Sequence, residues 1–238
     1  MEQNIEQRKQ SLSTASMLAA IGATLMYGLT ILIALIEPGS QASGVISLIG
    51  LILLLVGMYN MTSALRGIND AVVATLKSLF KANVMIIGST LVCTILIVIL
   101  VNSMTWSNAT TIGTINKILA IAWIVGLMLF TSQCRTACVT LSKSGLPSMK
   151  HCGVGYTIQL AIISVFGLFL FIALFNTGHA TSFFGSLGFR GSMGLIGTLL
   201  IIIGIASLIM CVFMILGWWS VRSELQRLLD TPDQAQNI

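Results

Sequence analysis

The sequence predicts an all-α, polytopic membrane protein with six transmembrane helices in three consecutive hairpins and both termini in the cytoplasm. The first observation is composition, because 56% of the 238 residues are hydrophobic and only 8% are charged. Soluble domains carry about a quarter charged residues, so most of this surface is not expected to face water. The other two observations are a set of continuous apolar stretches and the distribution of Lys and Arg around them.

Six stretches are long enough to cross a hydrocarbon core of about 30 Å, which requires about 20 helical residues. They cover residues 16–36, 44–65, 83–101, 112–131, 156–175 and 194–219. Strands are excluded because the runs are continuous rather than alternating, and a lone strand would leave backbone groups unpaired in lipid. The first stretch is too long for a cleaved signal peptide, so we expect it to remain as a signal anchor.

The basic residues predict the orientation of the spans. Ten of the twelve Lys and Arg residues flank one set of span ends, and two flank the other set. Positive charge marks the cytoplasmic side, so both termini are expected there, in what we interpret as a bacterial inner membrane. The ten are Arg8, Lys9, Arg66, Lys77, Lys81, Arg135, Lys143, Lys150, Arg222 and Arg227, and the two are Lys117 and Arg190.

The chain is predicted to form one transmembrane domain over residues 11–229, between a polar arm (1–10) and a polar tail (230–238). Its hairpins are expected at about 11–66, 83–143 and 154–229. Two segments, 57–66 and 126–135, share a Gly, a Thr-Ser pair and an Arg at the same offsets. A second echo links residues 21–25 to 87–91, and two echoes in register indicate an internal repeat of the first hairpin.

Small residues on the first two spans predict close helix packing. Ala15, Ala19 and Ala23 recur every four residues on the first span, and Gly50 and Gly57 lie seven residues apart on the second. Such faces let helix backbones approach each other. After the second span, Gly67 and Asn69 predict a break with a helix cap, followed by an amphipathic segment. This segment is interpreted either as a short interfacial helix or as an extension of the second span.

The charged residues near the membrane predict anchoring rather than catalysis. The six stretches contain no Asp, Glu or His, so neither an enzyme site nor a cofactor is expected. Lys117, inside the fourth stretch, either binds an anion together with Arg190 or extends to the outer headgroups, and the second interpretation is favoured. Five basic residues are expected to anchor the inner interface at anionic headgroups: Arg66, Arg135, Lys77, Lys81 and Arg222.

Two further sets of side chains each allow a functional and a structural interpretation. Cys134, Cys138, His151 and Cys152 lie on the inner side and are weak candidates for a zinc site, but their spacing is unusual and reduced thiols need no metal. The uncharged polar residues of the spans, among them Tyr27 and Asn60, either contact a neutral or zwitterionic solute or join helices by hydrogen bonds. The structural interpretation is favoured for both sets.

Two functions remain open at this stage. The first is a non-catalytic membrane scaffold or accessory subunit that packs through its Gly/Ala helix faces against other membrane subunits or itself. The second is a small-solute carrier, or the substrate-binding subunit of a transporter, with an outer-facing polar cavity rimmed by Lys117 and Arg190. Nucleic acid is not an expected partner, because the basic residues lie singly at span ends rather than in a patch.

Overall fold

The computed structural model describes residues 2–37, 41–103, 109–175 and 189–230, in which every regular element is helical. The first span comprises α1 (Glu2–Ala23), a π-helical turn (Thr24–Leu29) and α2 (Thr30–Ile36), which follow one another without a break. The other helices are α3 (Gln41–Ala64), α4 (Asp70–Asn102), α5 (Ala109–Lys143), α6 (Met149–Phe175) and α7 (Phe189–Asp230).

Six of these helical segments are long and apolar enough to cross a membrane, so the prediction of six spans is confirmed. The three-hairpin arrangement and the side on which the termini lie stay predictions. α1 begins at Glu2, so the polar arm predicted for residues 1–10 is helical. The tail beyond Asp230 lies outside the described residues.

The chain divides into two compact units. The first contains Met1–Ala82, Gln133–Thr157 and Leu208–Ile238, and the second contains Asn83–Ser132 and Ile158–Ser207. Large side chains fill the interior of the first unit: Leu54, Met58, Met61, Leu76, Leu79, Leu141, Tyr156 and Trp218 are all fully buried. In the second unit Gly167 lies against Ile124, whose Cγ2 would be 2.8 Å from a Cβ at that glycine.

The described helices expose many large apolar side chains, including Ile52, Leu91, Ile118, Leu168 and Ile201. The most apolar 18-residue window of α4 contains no buried residue. Soluble monomers rarely expose contiguous apolar patches of more than a few hundred Å², because water does not solvate them favourably. Lipid is the environment that matches such a surface.

The connection between the second and third spans differs from both predicted alternatives. Gly67 has φ +77° in the turn after α3, and Asn69 Oδ1 accepts a hydrogen bond from the Val72 N–H at 3.1 Å, so the break and the cap are confirmed. The amphipathic segment that follows is the beginning of α4 itself. It is therefore neither an interfacial helix nor an extension of the second span, and the second hairpin begins at Asp70 rather than near residue 83.

Several helices are longer than the bilayer is thick. α4, α5 and α7 contain 33, 35 and 42 residues, so at 1.5 Å per residue they extend about 50, 52 and 63 Å, against about 30 Å of hydrocarbon. Their polar ends, residues 70–82, 133–143 and 220–230, belong to the first unit. We call this part of the unit, together with residues 2–15 and 149–157, the juxtamembrane bundle. Its buried residues include Leu12, Val72, Leu76, Leu141, Met149, Val221 and Leu225.

Candidate functional site

A close-packed seam joins the first span to α3. A Cβ at Gly57 would lie 2.5 Å from the nitrogen of Ala19 and 2.7 Å from the carbonyl oxygen of Ala15. A Cβ at Gly50 would lie 2.8 Å from the carbonyl oxygen of Gly22. These distances are shorter than any real Cβ contact, so the two backbones approach each other only because these positions carry no side chain. The predicted small-residue faces are confirmed, and the chain uses them internally.

The π-helical turn in the first span is bonded to α7 within the first unit. The Thr30 N–H donates to the carbonyl oxygen of Leu25, five residues earlier, and the Thr30 hydroxyl donates to the same oxygen at 3.0 Å. The Thr24 hydroxyl donates to the Ala20 carbonyl oxygen at 2.9 Å and accepts from the indole N–H of Trp219 at 3.0 Å. Turns of this kind occur frequently at functional sites. The sequence analysis did not anticipate this one.

Tyr27, a candidate solute contact, projects from the π-helical turn and is buried, with 7% of its surface exposed. Its phenol is a hydrogen-bonding neighbour of Tyr156. Asn60, another candidate, is half-buried on α3 and also belongs to the first unit. Lys117 is half-buried on α5 and belongs to the second unit. Arg190 begins α7, but its side chain lies outside the described residues.

The four weak metal candidates point toward different neighbours. Cys152 lies against the backbone of Gly217, and its thiol donates to the carbonyl oxygen of Met214 at 3.9 Å. His151 is exposed and stacks on Phe213 with ring centroids 6.0 Å apart. Within the described parts of the chain, no group of three or more His, Cys, Asp or Glu side chains is placed to hold a metal ion. Cys134 and Cys138 are free thiols buried in the first unit.

α6 and α7 interlock through glycines in the first unit. A Cβ at Gly155 would lie 2.9 Å from Met214 Cγ and 3.0 Å from Met214 Sδ. Gly217 meets Cys152 so closely that a side chain there would overlap the cysteine sulfur. The sequence signal for this contact is the concentration of small residues at 152–155, which the analysis of the sequence did not use.

Glu224 on α7 binds the beginning of α6. Its carboxylate accepts hydrogen bonds from the Ser148 N–H at 2.9 and 3.1 Å and from the Ser148 hydroxyl at 2.6 Å. Ser148 immediately precedes α6 and is 6% exposed. A carboxylate at this position satisfies backbone donors that lack helical partners and interacts favourably with the helix dipole. The sequence analysis missed this pair because its members are 76 positions apart.

Most uncharged polar side chains in the spans bond to the backbone of their own helix. Thr62 donates to the Tyr59 carbonyl oxygen at 2.7 Å, and Ser164 donates to that of Leu160 at 2.8 Å. Both interpretations of this set, cavity lining and bonding between helices, are therefore wrong for such residues. Two bonds between helices do occur, Trp219 to Thr24 as described above and Trp123 Nε1 to Thr90 Oγ1 at 3.3 Å in the second unit.

Four buried polar atoms in the described residues have no hydrogen-bond partner. Three belong to the second unit, namely Asn116 Oδ1, Thr131 Oγ1 and Gln159 Oε1, and the fourth is Trp218 Nε1 in the first. An unpaired buried oxygen costs about 1–3 kcal/mol. These atoms are therefore the described groups with the most to gain from a new hydrogen-bond partner.

The predicted interface anchors lie at the surface of the first unit. Arg66, Lys77, Lys81 and Arg135 are exposed and Arg222 is half-buried. On α4 the opposite face is buried at Val72 and Leu76, so the predicted apolar stripe of this segment is confirmed. The binding of these side chains to headgroups stays a prediction.

Six apolar helices with a surface suited to lipid define a multi-pass integral membrane protein. Comparison of the chain with protein families, curated proteins and solved structures finds no match. Function therefore has to be argued from the geometry of the chain itself.

Proposed function

We propose that the chain is a non-catalytic integral membrane protein that serves as a scaffold or accessory subunit. The observation that carries this proposal is the tight interior of the first unit. Gly22, Gly50, Gly57 and Gly217 each lie where a side chain would overlap a neighbouring helix. Glycines at such contacts fix helices at one distance and angle, which suits a rigid body that positions other subunits.

Partner contacts would use small residues that the chain leaves open. Gly88 on α4 and Gly204 on α7 are both exposed, and a Cβ at either position would meet no atom within 4 Å. The seam between the first span and α3 is already occupied, so a partner helix would approach these other positions. We propose a bacterial inner membrane with both termini in the cytoplasm as the location, on the basis of the charge distribution.

Photocrosslinking in native membranes tests the scaffold proposal. A benzoylphenylalanine residue would be placed at Gly88 or Gly204, and at the exposed apolar positions Val92 and Leu208 as matched controls. We expect a discrete protein adduct from at least one glycine position and lipid adducts from the controls. Lipid adducts alone at all four positions would contradict the proposal.

A small-solute carrier is the second candidate function, with an outer-facing polar cavity as the notebook-independent expectation from Lys117 and Arg190. The unpaired Asn116 and Gln159 oxygens, in the same unit as half-buried Lys117, favour it. Hydrogen-bond acceptors of this kind would suit a neutral or zwitterionic solute that carries N–H or O–H donors.

Uptake into proteoliposomes separates the two functions. A carrier would accumulate labelled amino acids or other small zwitterions, and Gln159→Leu would lower the rate at least several-fold by removing an acceptor. Thr157→Val, which removes an exposed hydroxyl that donates to the Gly153 carbonyl oxygen, is the matched control. Equal uptake with empty liposomes across such a solute panel would favour the scaffold.

A further inference from the structure

The turn between α5 and α6 carries an exposed lysine on each side. Lys143 is the last residue of α5, Lys150 is the second residue of α6, and both are exposed. The turn is compact, because the Leu146 N–H donates to the Leu141 carbonyl oxygen at 3.1 Å and Gly145 adopts φ +108°. The two cations are therefore held near each other by backbone hydrogen bonds.

α7 brings a third basic residue to the same turn. Gly155 lies against Met214, whereas Ser148 binds Glu224. An earlier residue of α6 thus pairs with a later residue of α7, which makes these helices antiparallel. Arg227 is exposed and lies three residues beyond Glu224, so it is carried past Ser148 to the level of the turn. We call Lys143, Lys150 and Arg227 the turn patch.

The turn patch is far from the hydrocarbon boundary. Lys143 follows Arg135, the proposed boundary anchor, by eight helical residues, or about 12 Å. Electrostatic attraction between exposed charges decays over about 8 Å at physiological ionic strength. Arg135 and Arg66 are therefore better placed than the turn patch to bind headgroups. The turn patch faces the aqueous phase.

We infer that the turn patch docks an acidic segment, rich in Asp and Glu, of a partner protein outside the membrane. This inference rests on the proposed function, in which the chain assembles with other proteins, and it names the chemistry of one partner. The argument is charge complementarity, since the Glu224 carboxylate at this end is already bound to Ser148. Its acceptor groups are turned toward α6, and the exposed charge at the turn is cationic.

Binding of an acidic peptide to the full-length protein tests this inference. The protein would be reconstituted in phosphatidylcholine nanodiscs, which carry no net charge, and titrated into a fluorescein-labelled peptide of twelve Asp and Glu residues. Anisotropy would report the dissociation constant at about 50 and 200 mM salt. We expect K143Q/K150Q to weaken binding about ten-fold at the lower salt, because each exposed ion pair contributes only modestly.

R66Q/R135Q is the matched control, since it also removes two exposed positive charges from the first unit. It should weaken peptide binding no more than two-fold. Equal weakening by both double variants, or no measurable binding, would overturn the inference. A single-stranded DNA of the same charge that displaced the peptide at lower concentration than unlabelled peptide would also overturn it, in favour of nucleic acid.

The two proposals fail separately in these experiments. Crosslinking at Gly88 and Gly204 concerns a partner within the membrane, whereas the peptide titration uses the purified protein alone. Protein adducts without peptide binding would retain the scaffold and remove the acidic partner. Unfolding temperatures of both double variants within about 2 °C of the unchanged protein would establish that the affinity change is not a folding defect.

Discussion

Gly57 determines how closely α3 and the first span approach, because its missing side chain admits the backbone of Ala15 and Ala19. We predict that Gly57→Ala destabilises the protein by about 1–3 kcal/mol, the usual cost of forcing extra atoms into a packed core. Thermal unfolding of the purified protein in detergent would measure the change as a lower unfolding temperature.

Gly88→Ala is the control for this prediction. A Cβ at Gly88 meets no described atom within 4 Å, and the position is exposed on α4. Alanine favours the helix over glycine by up to about 1 kcal/mol, so this variant should unfold at the same or a higher temperature. If both variants unfolded at the same temperature, the packing argument for the seam would be wrong.

Glu224 and Ser148 form the polar contact that joins α7 to the beginning of α6. We predict that Glu224→Gln destabilises the protein by about 1–3 kcal/mol, because a charge-assisted hydrogen bond is replaced by a neutral one and a buried donor loses its best acceptor. Ser148→Ala should cost less, since the backbone N–H can still donate to the carboxylate.

A double-mutant cycle measures this coupling directly. The free energies of unfolding of Glu224→Gln, Ser148→Ala and the double variant would be compared with that of the unchanged protein. Contacting residues should give a destabilisation that is not the sum of the two single effects. Additivity within about 0.3 kcal/mol would argue against a direct bond between the side chains.

At the scale of elements, the π-helical turn depends on α7 as well as on its own backbone. Thr24 accepts the Trp219 indole N–H, so we predict that Trp219→Phe destabilises the first span, by about 0.5–1.5 kcal/mol for one lost bond. Thr24→Ser retains the acceptor and should have a smaller effect. Hydrogen exchange measured by mass spectrometry should show faster exchange in the peptide that contains residues 24–29.

The matched variant for this element is Trp123→Phe, which removes an indole bond to Thr90 in the second unit. It should leave exchange at residues 24–29 unchanged. A Trp219→Phe protein with unchanged exchange there, or equal acceleration by both variants, would show that the indole bond does not support the π-helical turn.

Sequence predicts an element well when one local signal decides it. Apolar length predicted the spans, and Gly67, Asn69 and Gly145 predicted where helices break. The amphipathic segment after Asn69 was assigned to the wrong helix context, because its apolar period is the same whether it stands alone or continues into α4. Its buried stripe was correct, and its continuity was the part that periodicity does not determine.

Contacts between distant residues were the part that sequence did not predict. Ser148 and Glu224 are ordinary polar residues near helix ends, and nothing local relates one to the other. The π-helical turn also lacks a local signature, since it is supported by Trp219, 195 positions from Thr24. Hydroxyl groups were assigned to cavities or helix contacts, although a nearby carbonyl oxygen in the same helix is the closest acceptor for most of them.

At the scale of the whole molecule, the internal repeat stays a prediction. Thr24 and Thr90, which occupy the same position in the two sequence echoes, each accept an indole N–H bond. The glycines beside them differ, because Gly22 is in close backbone contact and Gly88 is open. A duplicated hairpin whose copies had diverged in packing would give this combination. Superposition of residues 11–66 on 83–143 in an experimental structure would test it.

The last prediction concerns orientation, which the charge distribution favours for the chain as a whole. Ten basic residues flank one side of the spans and two flank the other, so we predict that both termini lie in the cytoplasm. Alkaline phosphatase fused near residue 110 or 185 should be active, and the same reporter fused after residue 145 should be inactive. Arg66→Gln or Arg135→Gln alone should not change this pattern, because nine basic residues would still oppose two, and each arginine acts as one anchor among several. Reporter activity after residue 145 would mean that the juxtamembrane bundle lies on the opposite side, and the turn patch would then need a partner outside the cell.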